Sequence, residues 1–381
     1  MDRILGQDKT VDQLLGALAS GRVHHAWVFA GPRGVGKFTA AREFAKLLLD
    51  PGAGPDLTGR WSVDPAGPIA HRVDEGTHPD LHVIRKELAL TSENPALRTR
   101  KLSNIPVDLL REHMIGGSGP GDRHYEPVVF HSPKMSHGKV FIIDEAELLD
   151  ATGQNALLKT LEEPPAGTYL ILVTSRPEQL LPTIRSRAQT ARFRLLPPPA
   201  MARWLDEAGL TDDPAERQWL EQYADGSPGV AQLAAAHGFH GWETRLRPLL
   251  AAVERGGWPV ELGDVMAELV DGFAAGWVKA HANASKDAAN KDGARHLLSL
   301  LASILRRELA AGAGAGAATS TATDSMEPVM TRIEALRACE QELQSNVNLK
   351  QAFEGLAVAW ARAGETDVPP SPMLRAMLAG G

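Results

Sequence analysis

The sequence predicts an α/β protein, a parallel sheet covered by helices on both faces, followed by a region built only of helices. Three observations predict it. Short runs rich in β-branched residues, HHAWVFAG (24–31), LHVIR (81–85), KVFIID (139–144) and TYLILVT (168–174), alternate with helical patterns such as NALLKTLEE (155–163), as expected of parallel strands buried on both faces. A glycine-rich loop separates the first of these runs from a helical pattern. Beyond the proline run LLPPPA (195–200) only helical patterning remains, which puts a domain boundary near residue 196.

The elements follow in order. Val11, Leu14, Leu15 and Leu18 fall at i, i+3, i+4, i+7 and predict an amphipathic first helix. The first strand then runs into GPRGVGK (31–37), and in the helix after it Phe38, Ala41, Ala45 and Leu48 line one face. Residues 50–79 and 116–137 read as loop insertions, broken by PGAGPD and GGSGPGD. AAGAGAGAATSTATDS (310–325) is low-complexity and poor in large apolar groups. It reads as a flexible loop between two C-terminal helices, because each of its three alternating glycines costs a helix roughly 1 kcal/mol.

Composition bounds the function. With 381 residues, two or three domains are expected. A net charge of -7 argues against a strongly basic nucleic-acid binder, so any DNA contact is local or shared with partners. The single cysteine, Cys339, excludes an internal disulfide or a multi-cysteine zinc site. No apolar signal core opens the chain and no stretch approaches the ~20 apolar residues a bilayer span requires, which predicts a cytoplasmic address.

Two motifs carry chemistry. Gly31, Gly34 and Gly36 let successive backbone N–H groups turn toward phosphate oxygens, and Lys37 adds a positive charge at a helix N-terminus. A bare glycine turn is the simpler reading, but the strand before and the helix after supply the context that a phosphate loop requires. The residue after the lysine normally offers a hydroxyl to Mg²⁺. Here it is Phe38, better suited to core packing, and Thr39 points about 100° away around the helix. KVFIIDEAE ends a strand with Asp144 and Glu145, the placement for one carboxylate on Mg²⁺ and another orienting water, or for relics of that arrangement.

The stretch NALLKTLEEPPAGTYLILVTSRPEQLLPTIRSRAQTARF (155–193), with ILGQ (4–7), HHAWVFAGPRGVGK (24–37), THPDL (77–81) and KVFIIDEAE (139–147), resembles the bacterial DNA polymerase III clamp-loader family of AAA+ proteins. The likeness covers residues 1 to about 240 well and is weaker beyond, where NVNLKQAFEGL (346–356) is similar to the last helices of the family's collar. It implies an AAA+ domain over 1–196, a helical lid over 197–240 and an oligomerising collar over 241–381. It also implies that Arg187, in Ser186-Arg187-Ala188, is an arginine finger serving the ATP site of a neighbouring subunit, although the family's cysteine is alanine here. A surface arginine pairing with a carboxylate is the plainer alternative. Thr174 matches the first sensor position, and Gly229, in DGSPGVAQL (225–233), stands where ATP-hydrolysing members carry a lid arginine. His78, Pro79 and Asp80 match the segment that follows the family's zinc module, but no cysteine precedes them, and His71 and His78 with scattered carboxylates do not replace four ligands.

Phe38 and Gly229 weaken the chain's own ATP and Mg²⁺ chemistry, whereas Arg187 would serve a neighbour. Among family members this combination fits a non-firing, stator-type subunit, with tau/gamma and delta subunits, the sliding clamp and primed DNA as partners. DNA polymerase activity would then belong to the assembled holoenzyme. The rivals are an ATP-hydrolysing motor subunit of tau/gamma type or other AAA+ ATPase, and a nucleic-acid processing protein acting alone.

Overall fold

The computed structural model describes residues 1, 4–56, 59–100, 102–119, 121, 123–281, 284–314, 321–344 and 348–363. The chain divides into two compact units, Met1–Asp212 with Ala224–Gln232, and Asp213–Tyr223 with the chain from Leu233 onward.

The first unit is built on five strands: β1 (Ala26–Ala30), β2 (Leu81–Ile84), β3 (Lys139–Ile143), β4 (Thr168–Thr174) and β5 (Gln189–Arg192). Their order is β2-β3-β4-β1-β5, every neighbouring pair parallel. Every residue of β1 and β3 is buried, which is why these runs read as continuous rather than alternating apolar segments. Side chains leave β1 on opposite faces. Trp27 and Phe29 join Leu14 of α1 (Asp8–Ala19) and Phe44 of α2 (Lys37–Leu49) in one core. Val28 and Ala30 enter a second core with Leu157 and Leu161 of α4 (Ala151–Glu162).

The register places the site. Ala30, at the end of β1, lies beside Thr174, at the end of β4, and β3 runs along the other side of β4. The carboxyl ends of β1, β4 and β3 therefore open side by side, where ligands bind in open α/β sheets.

Two departures from the sequence reading lie in this unit. The 50–79 insertion is not all loop: it carries a two-stranded ribbon (Gly54–Pro55 with Trp61–Ser62) and an eight-residue helix, α3 (Pro68–Glu75). Pro68 in its first turn and Gly76 at φ +70 just past its end supply ordinary start and stop signals. The 116–137 insertion holds a second ribbon (Gly117–Ser118 with His124–Tyr125) and a turn of 3-10 helix (Val128–Phe130). Strand β5 had no apolar run to announce it, since only Ala191 of its four residues is buried.

From α5 (Pro198–Ala208) onward the described chain is helical: α6 (Pro214–Ala224), α7 (Pro228–Ala236), α8 (Phe239–Glu254), α9 (Leu262–Ala280), α10 (Lys286–Gly314), α11 (Thr321–Gln344) and α12 (Leu349–Arg362). In the second unit α9 packs against α10 and α12, and α11 against α12. The core is lined by Phe239, Leu246, Val270, Leu301, Phe353 and Trp360. A buried Glu243 ties this unit together, accepting from Trp219 Nε1 (2.7 Å), Arg307 Nη2 (2.5 Å) and Arg247 Nη2. Burial works to raise its carboxyl pKa, but these donors hold it below the usual carboxylate range.

The loop expected over 310–325 requires correction at both ends. Helix α10 continues to Gly314 and α11 begins at Thr321; residues 315–320 lie outside the described ones. Helix propagation is cheap once nucleated, and Ala310, Ala311 and Ala313, around Gly312, extend a helix already anchored by Leu297, Leu300, Leu301 and Leu305. Among the described residues no helix is long and apolar enough to cross a membrane.

Candidate functional site

A cavity of about 430 Å³ opens at the strand ends, lined by Gly34, Gly36, Lys37, Phe38, Asp144, Glu145 and Thr174 among others. All these residues belong to the first unit. Gly34, Gly36 and Lys37, the acidic pair and Thr174 are thus brought together, whereas Gly31 and Arg187 do not line this cavity.

Lys37 is 6% exposed. Its ammonium donates to the carbonyls of Gly31 (2.7 Å) and Pro32 (2.5 Å) and to Ser175 Oγ (3.1 Å). An ammonium has three donors, and all three are taken by the chain itself. Burial lowers its pKa to about 8, against the attraction of Glu147 and Asp144, which favours the charged form. The loop is also held from outside. Gly229 N–H donates to the Gly34 carbonyl (2.8 Å) and Ser227 Oγ to the Arg33 carbonyl (2.9 Å). The approach leaves no room for side chains: a Cβ on Gly34 would stand 2.4 Å from Ser227 Oγ, and one on Gly229 would stand 2.7 Å from Gly34 Cα.

The half-buried Phe38 packs against the α1–α2 core, with the Arg85 guanidinium carbon 5.9 Å from its ring centroid. No hydroxyl stands at that point of the cavity wall, and Thr39 is exposed at its margin. Glu145 adopts the left-handed region (φ +52), rare for a non-glycine residue. Its carboxylate is engaged with Lys86 (2.7 Å) and, from within the glycine loop, with Arg33 (3.3 Å). Burial first, and then the negative charge of Glu145, raise the pKa of Asp144. Thr174 is buried, its Oγ1 accepting from Arg176 N–H (3.0 Å).

Two lining residues escaped the sequence reading. Ser175 reaches Lys37. Glu147 accepts from Ser175 N–H (3.2 Å), while its other oxygen is buried with no hydrogen-bond partner among the described residues. Their position one residue past a strand end and three past Asp144 is the only signal that would have found them. The donor set matches a phosphate-binding loop in its glycines and lysine. It does not match the usual magnesium site, because the hydroxyl is replaced by Phe38. Among the described residues no group of three or more His, Cys, Asp or Glu is placed to hold a metal ion.

Asp80 of the His-Pro-Asp segment has a structural part. Its carboxylate accepts from the N–H groups of Lys134, Met135 and Ser136 at 2.7, 2.8 and 3.0 Å. Burial works to raise its pKa, and these three donors hold it below the usual range.

Arg187 sits outside the cavity, just beyond a single helical turn (Pro182–Arg185). Its Nη2 is 2.8 Å from Glu162 Oε1 and its Nη1 donates to the Thr183 carbonyl (3.1 Å).

Residues 6–197 match the family model described as DNA polymerase III, delta subunit. The chain belongs to that family. It is 34% identical over 229 residues to DNA polymerase III subunit gamma/tau of Mycobacterium tuberculosis, covering 59% of this chain and 34% of the relative. To DNA polymerase III subunit delta' of Pseudomonas aeruginosa it is 33% identical over 224 residues, covering 58% of this chain and 59% of the relative. The chain thus spans about a third of the first relative's length and under two thirds of the second's. Among solved structures, a DNA polymerase III gamma subunit-related protein from Thermotoga maritima aligns over 94% of this chain and 99% of its own, with 18% identity and a TM-score of 0.40.

Proposed function

We propose that this chain is a delta-prime-type stator subunit of a bacterial DNA polymerase III clamp loader. In this reading it assembles with tau/gamma and delta and helps to load the sliding clamp onto primed DNA in the cytoplasm. The AAA+ domain (1–196), lid (197–240) and collar (241–381) keep the roles that the resemblance implies. The observation that carries the reading is Phe38: a phenyl ring packed on the core occupies the place of the hydroxyl that a hydrolysing member offers to magnesium. Two further features support it. Gly229 lies so close to Gly34 that no lid-arginine side chain fits there, and Lys37 must break three internal bonds before it meets a phosphate.

Arg187 would act on a neighbour. A planar guanidinium at the γ-phosphate of an adjacent subunit neutralises charge that develops during phosphoryl transfer, an effect worth roughly 10³- to 10⁵-fold in rate. The chain contributes the finger and its orientation, and nucleotide and metal would be held by the neighbour.

The motor-subunit reading draws on the retained Lys37 and Asp144 and on the gamma/tau relatives. Two measurements separate the readings. Size-exclusion chromatography with tau/gamma and delta is expected to give one co-eluting complex; separate elution contradicts the stator assignment. Nucleotide turnover by the isolated chain is expected to be absent, and turnover abolished by Lys37→Ala would establish the motor reading.

A further inference from the structure

Glu162 has no part in the cavity, yet the contacts at Arg187 depend on it. Its carboxylate forms an ion pair with Arg187 Nη2 at 2.8 Å, and the Thr183 carbonyl accepts from Arg187 Nη1. Both groups stand on anchored backbone. Glu162 ends α4 next to Leu161, 2% exposed, and Thr183 precedes the fully buried Ile184; Leu161 and Ile184 lie in one core cluster. Arg187 N–H also donates to the Ile184 carbonyl (3.1 Å), so the backbone beneath the side chain is fixed to the same turn.

A carboxylate at the C-terminal end of a helix faces the negative end of the macrodipole and is unfavourable there unless a cation answers it. Arg187 is that cation. A free arginine side chain carries about 2 kcal/mol of rotamer entropy that must be lost before its guanidinium can meet a phosphate in one geometry. Held by the ion pair and the Thr183 carbonyl, it has lost part of that freedom before any partner arrives. The Thr183 carbonyl takes one guanidinium N–H and the carboxylate pairs with the charge, so other donors of the five still face a further anion. The pair is weak enough to yield or adjust, with side chains 37% and 51% exposed.

We propose that Glu162 is a positioning residue for the arginine finger: with the Thr183 carbonyl it holds the Arg187 guanidinium in the pose from which it reaches the neighbouring subunit's γ-phosphate. This rests on the reading of Arg187 as a finger acting in trans. Glu162 itself touches no reacting atom.

The test uses a reconstituted loader containing this chain, assayed for DNA- and clamp-stimulated ATP hydrolysis with wild type, Glu162→Gln, Arg187→Ala and the double variant. Glu162→Gln keeps the side chain's size and removes its charge. Co-elution with the complex and an unchanged urea midpoint establish that it folds and assembles. The expected result is a fall in kcat of about two- to fivefold, the loss that an exposed pair can confer, with KM for ATP unchanged. The double variant is expected to be no slower than Arg187→Ala alone, because a positioning residue has no effect once its client is gone. Glu162→Asp, which keeps the charge, is expected to recover part of the rate. Wild-type kcat for Glu162→Gln beside a slow Arg187→Ala overturns the proposal and leaves the finger standing. Additive losses in the double variant also overturn it. An unchanged rate for Arg187→Ala removes the finger and this inference with it.

Discussion

Lys37 and Arg187 are both cations at positions that the family resemblance ties to phosphate chemistry, and the chain holds them in opposite ways. Lys37 is buried, its three donors spent on two carbonyls of its own loop and on Ser175. The loop is pinned in turn by Ser227 and Gly229. Arg187 is partly exposed, paired with Glu162 and bonded through one N–H to the Thr183 carbonyl, with further donors left over. A phosphate entering the cavity has to displace bonds that the fold already makes. A phosphate brought to the Arg187 edge finds donors waiting. The buried cation is fully bonded by its own loop and the exposed one is only lightly held, which is the division the stator reading expects.

The contrast can be broken from the Lys37 side. Gly229→Arg, the change that would restore a lid arginine, drives a Cβ into Gly34 Cα and is expected to cost about 3 kcal/mol in urea unfolding, the upper end for overpacking. It should confer no ATP turnover; an undiminished midpoint would show that the loop yields freely.

The second test is the pH dependence of stability. Lys37 titrates near 8 when folded and at 10.5 as an ordinary lysine. Between these values the unfolded chain holds a proton that the folded chain has released, so the stability of the wild type should rise with pH relative to Lys37→Met. The expected slope is about 1 kcal/mol per pH unit at its steepest, near pH ~9, fading to nothing below about pH 7. A flat difference across that window would mean that the ammonium is not desolvated in the cavity. The smallest effect is expected for Ser227→Ala, which removes the hydroxyl bonded to the Arg33 carbonyl and placed 3.4 Å from Val230 N–H. A loss of about 1 kcal/mol fits a latch on the loop, and no loss places the latch in Gly229 alone.

The parts of the molecule legible in the sequence are those whose neighbours along the chain fix them. Four strands declared themselves by their apolar runs, and Lys37, Asp144 and Thr174 met in one cavity because each follows or ends a strand in a parallel sheet. Strand β5 did not declare itself, since an edge strand with one buried residue has no apolar signature. Ser175 and Glu147 stayed hidden for a related reason: their value lies in reaching Lys37 and each other across the sheet. Glu162 belonged to a recognisable motif, but its partner lies 25 residues further along the chain, and only the fold brings them within 2.8 Å. The glycines at 312 and 314 misled because local propensity argued for a break where an anchored helix carries on.

The central claim, that this chain completes a neighbour's active site, is tested most directly by the DNA- and clamp-stimulated ATPase rate of a reconstituted loader carrying Arg187→Ala. With assembly intact, a fall of roughly tenfold or more is expected. An unchanged rate would contradict the claim and leave Arg187 as a surface residue paired with Glu162.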